Sequence, residues 1–126
     1  MNTRDVGRLG EEAARQHLKA NGYTLLSSNV LEGHEELDIV AEKGSVRAFV
    51  EVKARSSTPA QIEKYGSPAL AVTPAKRRHL LSAARQFNGE HPTKKDSRMD
   101  IIEVYLSKDE PPRILHIHHM KDAFHT

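Results

Sequence analysis

The chain of 126 residues contains no cysteine and no tryptophan, and aromatic residues make up only 5% of it. The absence of cysteine excludes disulfide bonds, thiolate metal sites, iron–sulfur clusters and a cysteine nucleophile, and it fits a reducing compartment. So few aromatic residues argue against a broad stacking platform for single-stranded nucleic acid. No apolar run is long enough to cross a membrane, and Met1 to Gly10 lack the apolar segment of a secretory signal. We therefore expect a cytoplasmic protein with no membrane partner.

The length and charge of the chain fit one soluble domain over residues 1–126. A chain of this size buries about two-thirds of its surface on folding, which suffices for one core without crosslinks. The net charge of +2 conceals an asymmetry, because residues 1–63 hold 10 acidic and 8 basic residues and residues 64–126 hold 7 and 11. An acidic first half and a basic second half fit a nucleic-acid partner or a chance distribution about equally well.

The hydrophobic pattern predicts the element order αβββαββ in one mixed α/β domain. The first helix is expected from Thr3 or Asp5, either of which can cap it, to Asn21. The second is expected to open at Thr73-Pro74, with threonine as the cap, and to end at Gly89. Strands are expected over residues 23–26, 36–41, 46–55, 99–106 and 114–117, with polar loops over 56–68 and 90–97.

Two neighbouring glutamates of the first helix are expected to differ in position. Successive helical residues are turned by about 100°, so Glu11 falls at the boundary of the apolar stripe while Glu12 points into solvent. Gly7 and Gly10 each cost about 1 kcal/mol relative to alanine in a helix, and close packing of the helix on the sheet is the simplest explanation for both. The expected stripe consists of Val6, Leu9, Ala13, His17 and Ala20, with Leu18 at its edge.

Alternation along two neighbouring strands gathers charged side chains on one face of the sheet. Glu51 and Lys53 of the third strand lie about 7 Å apart and point the same way, and Asp38 of the second strand shares their face. That face is expected to hold Glu36, Asp38, Val40, Phe49, Glu51, Lys53 and Arg55, and the opposite face Leu37, Ile39, Ala41, Val50, Val52 and Ala54.

A turn at Lys43-Gly44 joins these strands into a hairpin. A two-residue turn there places Ala41 opposite Val46 and therefore Glu36 opposite Glu51, with Asp38 diagonal to Glu51 at about 7 Å. A slip by one residue would move Asp38 to the other face, so the apolar pattern supports this parity.

Carboxylates gathered in this way repel one another unless a cation lies between them. Oxygen ligands of this kind suit Mg²⁺ or Mn²⁺, and such an ion can activate water for attack on a phosphodiester. Lys53 is placed to orient the water or to neutralise developing negative charge.

Asp38 followed thirteen residues later by Glu51-Val52-Lys53 resembles the PD-(D/E)XK pattern shared by restriction enzymes and archaeal Holliday-junction resolvases. The chain is similar above all to the YraN-like family of small bacterial endonuclease-related proteins. The stretches that carry this resemblance are Gly7–Glu11, Glu36–Ala41, Phe49–Arg55, Lys76–Ala84, Arg98–Ile102 and Asp122–Phe124.

The resemblance implies a restriction-endonuclease-like αβββαβ core, with a mixed central sheet flanked by helices, and metal-dependent hydrolysis of phosphodiester bonds in DNA, including branched DNA. Asp38, Glu51 and Glu11 would bind Mg²⁺ or Mn²⁺, with the carbonyl of Val52 as a further ligand, and Lys53 would assist the nucleophile. Resolvase-like relatives are often dimers, which implies a homodimer. Because a fold does not settle a function, the alternative is a non-catalytic nucleic-acid-binding module or scaffold.

The chain departs from the family pattern at two places. Leu37 precedes Asp38 where the superfamily name has proline, and His34-Glu35 replaces a glycine pair before the acidic motif. The second change adds bulk and charge at the mouth of the expected site.

Further polar residues remain open to more than one interpretation. Glu36 is a metal ligand, a support for one, or a surface acid, and Arg55 contacts phosphate or pairs with a carboxylate of the site. Basic residues at a helix start oppose the macrodipole, so a cluster on the second helix is either a solvated face, the more common case, or a set of phosphate contacts, which this misfit favours. That cluster is Lys76, Arg77 and Arg78.

Two other polar groups have a simpler interpretation. Arg98 and Asp100 are expected to form a structural ion pair. His116 and His118 share a strand face, which is compatible with metal chelation together with His119, but no recognisable ligand spacing completes such a site.

Overall fold

Five strands form the central sheet, and their order in the sheet is their order in the chain. The computed structural model describes residues 2–56 and 68–125. Only the third and fourth strands are parallel, and every other neighbouring pair is antiparallel. The elements are α1 (Thr3–Ala20), β1 (Thr24–Glu32), β2 (Glu35–Lys43), β3 (Val46–Ser56), a 3₁₀ turn (Pro68–Ala71), α2 (Pro74–Glu90), β4 (Asp96–Leu106) and β5 (Ile114–Phe124).

This order confirms the predicted mixed α/β architecture, and the sheet with its two helices is compatible with a restriction-endonuclease-like core. The helices cover opposite faces of the sheet, and each encloses its own apolar cluster. Within the described ranges, no helix has the length and apolar character needed to cross a membrane. The buried residues under α1 are Ala13, Ala14, Leu18, Tyr23, Ile39, Ala41, Ala48, Val50, Val52, Ile102, Val104 and Leu106. Those under α2 are Leu37, Val40, Phe49, Ala69, Val72, Leu80, Ala83, Ala84, Phe87, Met99, Ile101 and Phe124.

Helix α1 begins at Thr3, one of the two expected starts, but its cap is Asn2 rather than Thr3 or Asp5. The side-chain oxygen of Asn2 accepts a hydrogen bond from the Asp5 amide at 2.9 Å. This is the i to i+3 bond of a helix cap, and asparagine serves in it as well as aspartate or serine. The second helix starts as predicted, because Thr73 accepts from the Lys76 amide at 3.2 Å.

The buried stripe of α1 is rotated relative to the expected one. Leu18 is fully buried at its centre, whereas Leu9 is 38% exposed and Ala20 is exposed. Gly10 brings the helix close to β3, since a Cβ added at this residue would lie 2.3 Å from the Cβ of Ala54. At Gly7 a Cβ would meet nothing within 4 Å, so close packing explains Gly10 and not Gly7.

The outer strands are longer than the sequence predicts. β1 continues to Glu32 instead of ending at Leu26, and β5 continues to Phe124 instead of ending at Ile117. Their added residues are mostly polar and lack an apolar alternation, but each strand finds a ladder partner in β2 or β4. The predicted loop over 56–68 falls, except at its two ends, outside the described residues.

The register of the β2–β3 hairpin differs from the prediction by two residues. Lys43 lies opposite Val46 and Ala41 opposite Ala48, so the loop residues are Gly44 and Ser45. Gly44 has φ of 57°, and glycine is the residue that takes a positive φ at the first loop position without steric cost. A shift of two residues leaves the face of every side chain unchanged.

Candidate metal centre

The centre lies where β2 and β3 separate. The backbone ladder between these strands reaches the Ile39–Val50 pair, and the preceding residue, Asp38, accepts a hydrogen bond from the Val52 amide through Oδ2 at 2.8 Å. A side chain thus takes the place of a backbone acceptor. Leu37, beyond this point, packs in the cluster under α2 rather than with Ile39 as expected, because the ladder no longer imposes the alternation there.

The place where the two strands separate is called the fork below. Glu51 lies there beside Asp38 and is only 6% exposed. Its Oε1 lies 3.7 Å from the Nζ of Lys53, while its Oε2 is buried and has no hydrogen-bond partner among the described residues. Burial, followed by the charge of Asp38, raises the pKa of Glu51 to about 8. Burial also raises the pKa of Asp38, although the hydrogen bond from the Val52 amide acts to lower it. The structure therefore brings Asp38, Glu51 and Lys53 together, with two carboxyl groups that disfavour simultaneous ionisation.

Asp38 also belongs to a second cluster of acidic residues. One carboxylate oxygen from each of Glu11, Glu36 and Asp38 lies within 4.8 Å of the others. The side chain of Glu11 is 25% exposed and that of Glu12 is 55% exposed, so the difference expected from helix geometry is confirmed. Glu36, for which three interpretations were open, is a member of this cluster.

Asn29 joins the acidic cluster and was missed from the sequence. Its Nδ2 donates to Glu36 Oε1 at 2.8 Å and to Glu11 Oε2 at 3.2 Å. Its φ is 53°, a conformation that asparagine tolerates better than most residues. The one signal in the sequence was an asparagine within a polar stretch, and the premature end predicted for β1 placed it outside the sheet.

The donor set indicates which ion the centre can hold. Asp38, Glu51, Glu11 and Glu36 offer carboxylate oxygens only, the ligands that Mg²⁺ and Mn²⁺ prefer. A divalent cation between Asp38 and Glu51 would give Glu51 Oε2 its missing partner and would favour the ionised form of both groups. The residues present therefore fit such an ion.

The cationic cluster predicted on α2 is divided by the structure. Lys76 forms an ion pair with Glu35, and His79 Nδ1 lies 4.0 Å from the same carboxylate. Although burial acts in the opposite direction, the contact with Glu35 and the charges of Glu51 and Asp38 raise the pKa of Lys76. Lys76 and Glu35 thus stand at the mouth of the centre, where the added bulk and charge were expected.

The other two members of that cluster have surroundings different from those of Lys76. Arg77 donates to the Val72 carbonyl at 3.0 Å, and its guanidinium lies 5.6 Å from the centroid of the Phe124 ring. Arg78 is exposed and forms no ion pair within the described part of the chain. Both line an open groove of about 390 Å³ together with Arg85.

The predicted pair of Arg98 and Asp100 is confirmed as a structural element beneath α1. Two guanidinium nitrogens of Arg98 donate to the two carboxylate oxygens of Asp100 at 2.8 Å each. His119 also contacts Asp100 at 2.8 Å and lies 3.3 Å from His17. Burial by itself would raise the pKa of Asp100, but the hydrogen bonds from His119 and Arg98 outweigh burial and lower that pKa. His119 therefore belongs to this cluster, on the face opposite His116 and His118.

Comparison with known proteins identifies close relatives over nearly the whole chain. Residues 10–104 match the model of "Uncharacterised protein family UPF0102", which is the YraN-like family expected above. A UPF0102 protein of Chlorobium chlorochromatii is 40% identical over 125 residues, covering 98% of this chain and 93% of the relative. One of Caldicellulosiruptor saccharolyticus is 40% identical over 98% of this chain and 100% of its own length. A third, of Chloroherpeton thalassium, is 36% identical over 100% of this chain and 98% of its own.

Proposed function

Because the chain belongs to the UPF0102 family, whose description names no activity, we propose its function from the site: metal-dependent hydrolysis of phosphodiester bonds in DNA. The ion is Mg²⁺ or Mn²⁺, and the product ends are a phosphate monoester and a hydroxyl group. Branched DNA is included among the substrates.

The observation that carries this proposal is the Oε2 of Glu51, which has no hydrogen-bond partner in the part of the chain that the structure describes. It is buried beside a second carboxyl group, that of Asp38. A buried acceptor without a partner costs about 1–3 kcal/mol, and more when it is charged. Stability alone would favour glutamine or an apolar residue here, whereas a site for a divalent cation requires the carboxylate.

Each residue of the fork has a defined task in this reaction. Asp38 and Glu51 hold the ion, and the amide of Val52 fixes the orientation of the Asp38 carboxylate. Lys53, close to Glu51 Oε1, is placed to contact a phosphate oxygen and to offset its growing negative charge. When bound, the divalent cation supplies an activated water and stabilises charge on the phosphoryl group.

The surroundings of the centre support a polyanionic substrate. Lys76 stands at its mouth, and Arg77, Arg78 and Arg85 line the groove along α2. These cations belong to the basic second half of the sequence, while four acidic residues of the first half meet at the centre. An acidic pocket beside a basic surface suits a metal ion and a phosphate backbone together.

A cleavage assay tests the proposal. Full-length protein is incubated with supercoiled, linear, single-stranded and four-way-junction DNA in Mg²⁺, in Mn²⁺ and in chelator. We expect metal-dependent cleavage that falls by about a hundredfold or more in Glu51→Gln and Lys53→Ala and is unchanged in Glu12→Gln, the exposed neighbour of Glu11. Cleavage that survives both fork substitutions contradicts the proposal.

A second candidate function has one observation in its favour. The amide of Asn29 donates to both Glu11 and Glu36, so two carboxylates of the acidic cluster are hydrogen-bonded and held in place without a cation. Such a site suits a non-catalytic nucleic-acid-binding module. DNA binding without cleavage of any substrate in either metal would favour this candidate, and sedimentation in the same buffers would test the proposed homodimer.

A further inference from the structure

A strip of polar side chains crosses β3, β4 and β5 next to the metal centre. The register places Lys53 beside Glu103 and Glu103 beside His118. In the next row of the same face, Arg55 lies beside Tyr105 and Tyr105 beside His116. Because residues in register on neighbouring strands point to the same side, these side chains share the face that carries Glu51.

Glu103 is the buried anchor of this strip. It is 1% exposed, and it accepts hydrogen bonds from the Ala69 amide at 2.8 Å and from the Tyr105 hydroxyl at 3.2 Å. Its Oε1 also lies 2.9 Å from His118 Nδ1. A carboxylate in this position accepts a hydrogen bond from the Nδ1–H group, and the other ring nitrogen, Nε2, then points away from the carboxylate.

The imidazole of His118 is presented to solvent. Its side chain is 54% exposed although the carboxylate that orients it is buried. The rings of His116 and His118 are stacked at 6.5 Å with an interplanar angle of 23°, and Tyr105 lies 5.9 Å from His116. A buried charge that holds an exposed imidazole in one orientation does more than fill space, and it points to a ligand at Nε2.

The charges of the strip indicate the ligand. Lys53 and Arg55 are permanent cations, and Arg55 is exposed and has no ion pair among the described residues. Among the described residues, the groups that face His118 are Glu103 and Tyr105 from β4 and His116 from β5, while the 3₁₀ turn contributes the backbone of Ala69. Glu103 is buried whereas Arg55 is exposed and Lys53 is partly exposed, so the charge that the strip presents to solvent is positive.

We propose that the strip formed by Lys53, Arg55, His116 and His118 binds the phosphodiester backbone of the DNA strand on one side of the scissile phosphate. His118 contacts the phosphate, and Glu103 is its positioning residue. With hydrogen on both ring nitrogens, His118 donates through Nδ1 to Glu103 and through Nε2 to a phosphate oxygen. The location of the scissile phosphate rests on the function proposed above.

The spacing of the sheet decides which phosphate is contacted. Lys53 and His118 are separated by two strand spacings, about 10 Å. That distance is too long for His118 to act on the phosphate at the metal centre, but it suits a neighbouring phosphate of the same strand. His116 and His118 are thus part of a binding surface, which meets the catalytic machinery at Lys53.

Binding measured without metal tests the strip separately from cleavage. Fluorescence anisotropy with a labelled single-stranded oligonucleotide in chelator, at about pH 6, compares wild type with His118→Gln and with the control His91→Gln at the end of α2. We expect the first substitution to weaken binding about tenfold and to lower the salt slope by about one. The control should bind as wild type does.

The positioning role of Glu103 has its own readout. In ¹⁵N-labelled protein, the imidazole resonances of His118 should report hydrogen on Nδ1, and oligonucleotide should shift them. Glu103→Gln should change the tautomer signal and weaken binding in the same direction. If that variant fails to fold, the exposed His118→Gln substitution still decides the question.

The outcomes separate the strip from the nuclease. Equal binding by His118→Gln and His91→Gln, with metal-dependent cleavage intact, overturns the strip and leaves the proposed function standing. If His118→Gln weakens binding but the protein cleaves no DNA, the strip is supported and the proposed nuclease activity is contradicted. A wild-type chain that binds no oligonucleotide overturns the strip, and the cleavage assay then decides the proposed function by itself.

Discussion

Replacing Glu51 with glutamine tests the electrostatics of the fork directly. Burial and the charge of Asp38 raise the pKa of Glu51 from 4.5 to about 8 in the folded protein. Between these values the folded chain holds a proton that the unfolded chain has released. Since stability falls with pH wherever the folded state binds more protons, wild type loses stability as the pH rises from 4.5 towards 8.

The size of this loss follows from the displacement of the pKa. Each pKa unit corresponds to about 1.4 kcal/mol, so the full displacement is worth about 5 kcal/mol, and entry of water into the fork brings the expected loss to about 3–5 kcal/mol. Glu51→Gln keeps the shape of the side chain and cannot ionise. As the pH rises from about 5 to about 9, the free energy of unfolding of Glu51→Gln should therefore increase by this amount relative to that of wild type.

Urea unfolding in chelator, followed by circular dichroism across this range, measures the difference. Glu12→Gln, an exposed substitution on α1, serves as the control and should not change the pH dependence. Saturating Mg²⁺ should stabilise wild type by about 2.7 kcal/mol at a hundredfold excess over Kd and should leave Glu51→Gln unchanged. A difference between wild type and Glu51→Gln that is the same at every pH would refute the reasoning.

Three further predictions concern the helix contact, the buried ion pair and the basic groove. Gly10→Ala should lower the free energy of unfolding by about 1–3 kcal/mol because the new Cβ meets Ala54, whereas Gly7→Ala should raise it by up to about 1 kcal/mol, both measured by urea unfolding. Asp100→Asn should cost about 3–5 kcal/mol because it leaves a guanidinium without its anion. Since the folded pKa of Asp100 lies below 3.8, its contribution is present above that pH and is lost as the pH falls through the folded value; thermal melts from about pH 6 to about pH 3 should show this acid loss in wild type and not in the variant. Arg78→Ala should reduce the salt slope of DNA binding by about one, and an unchanged slope would place the DNA elsewhere.

Much of the candidate site was predictable because it depends on periodicity. A strand period of two places Glu51 and Lys53 on one face wherever the strand begins, and a helical period places Glu11 at the edge of the buried stripe. The match to the UPF0102 family agrees with the resemblance drawn from these same residues. Their order along the chain was enough to suggest an acidic centre beside a lysine.

The errors came from features that periodicity does not encode. A hairpin register shifted by two residues has the same pattern of faces, so the loop at Gly44-Ser45 could not be distinguished from one at Lys43-Gly44. The full length of β5 was missed because His118, His119 and Lys121, beyond the predicted end at Ile117, carry no apolar alternation, and only the ladder with β4 makes this part a strand.

By itself, the sequence determined which residue types could meet: the element order, the parity of the strands and the absence of thiols restricted the chemistry to carboxylates, imidazoles and cations. Tertiary structure alone decided the distances and the partners. The end of the β2–β3 ladder placed Asp38 on the Val52 amide and buried Glu51 without a partner for Oε2. The parallel pairing of β3 with β4 set Lys53 beside Glu103 and, through it, His118. These contacts join residues far apart in the chain, and their energies depend on burial and register, which no local pattern specifies.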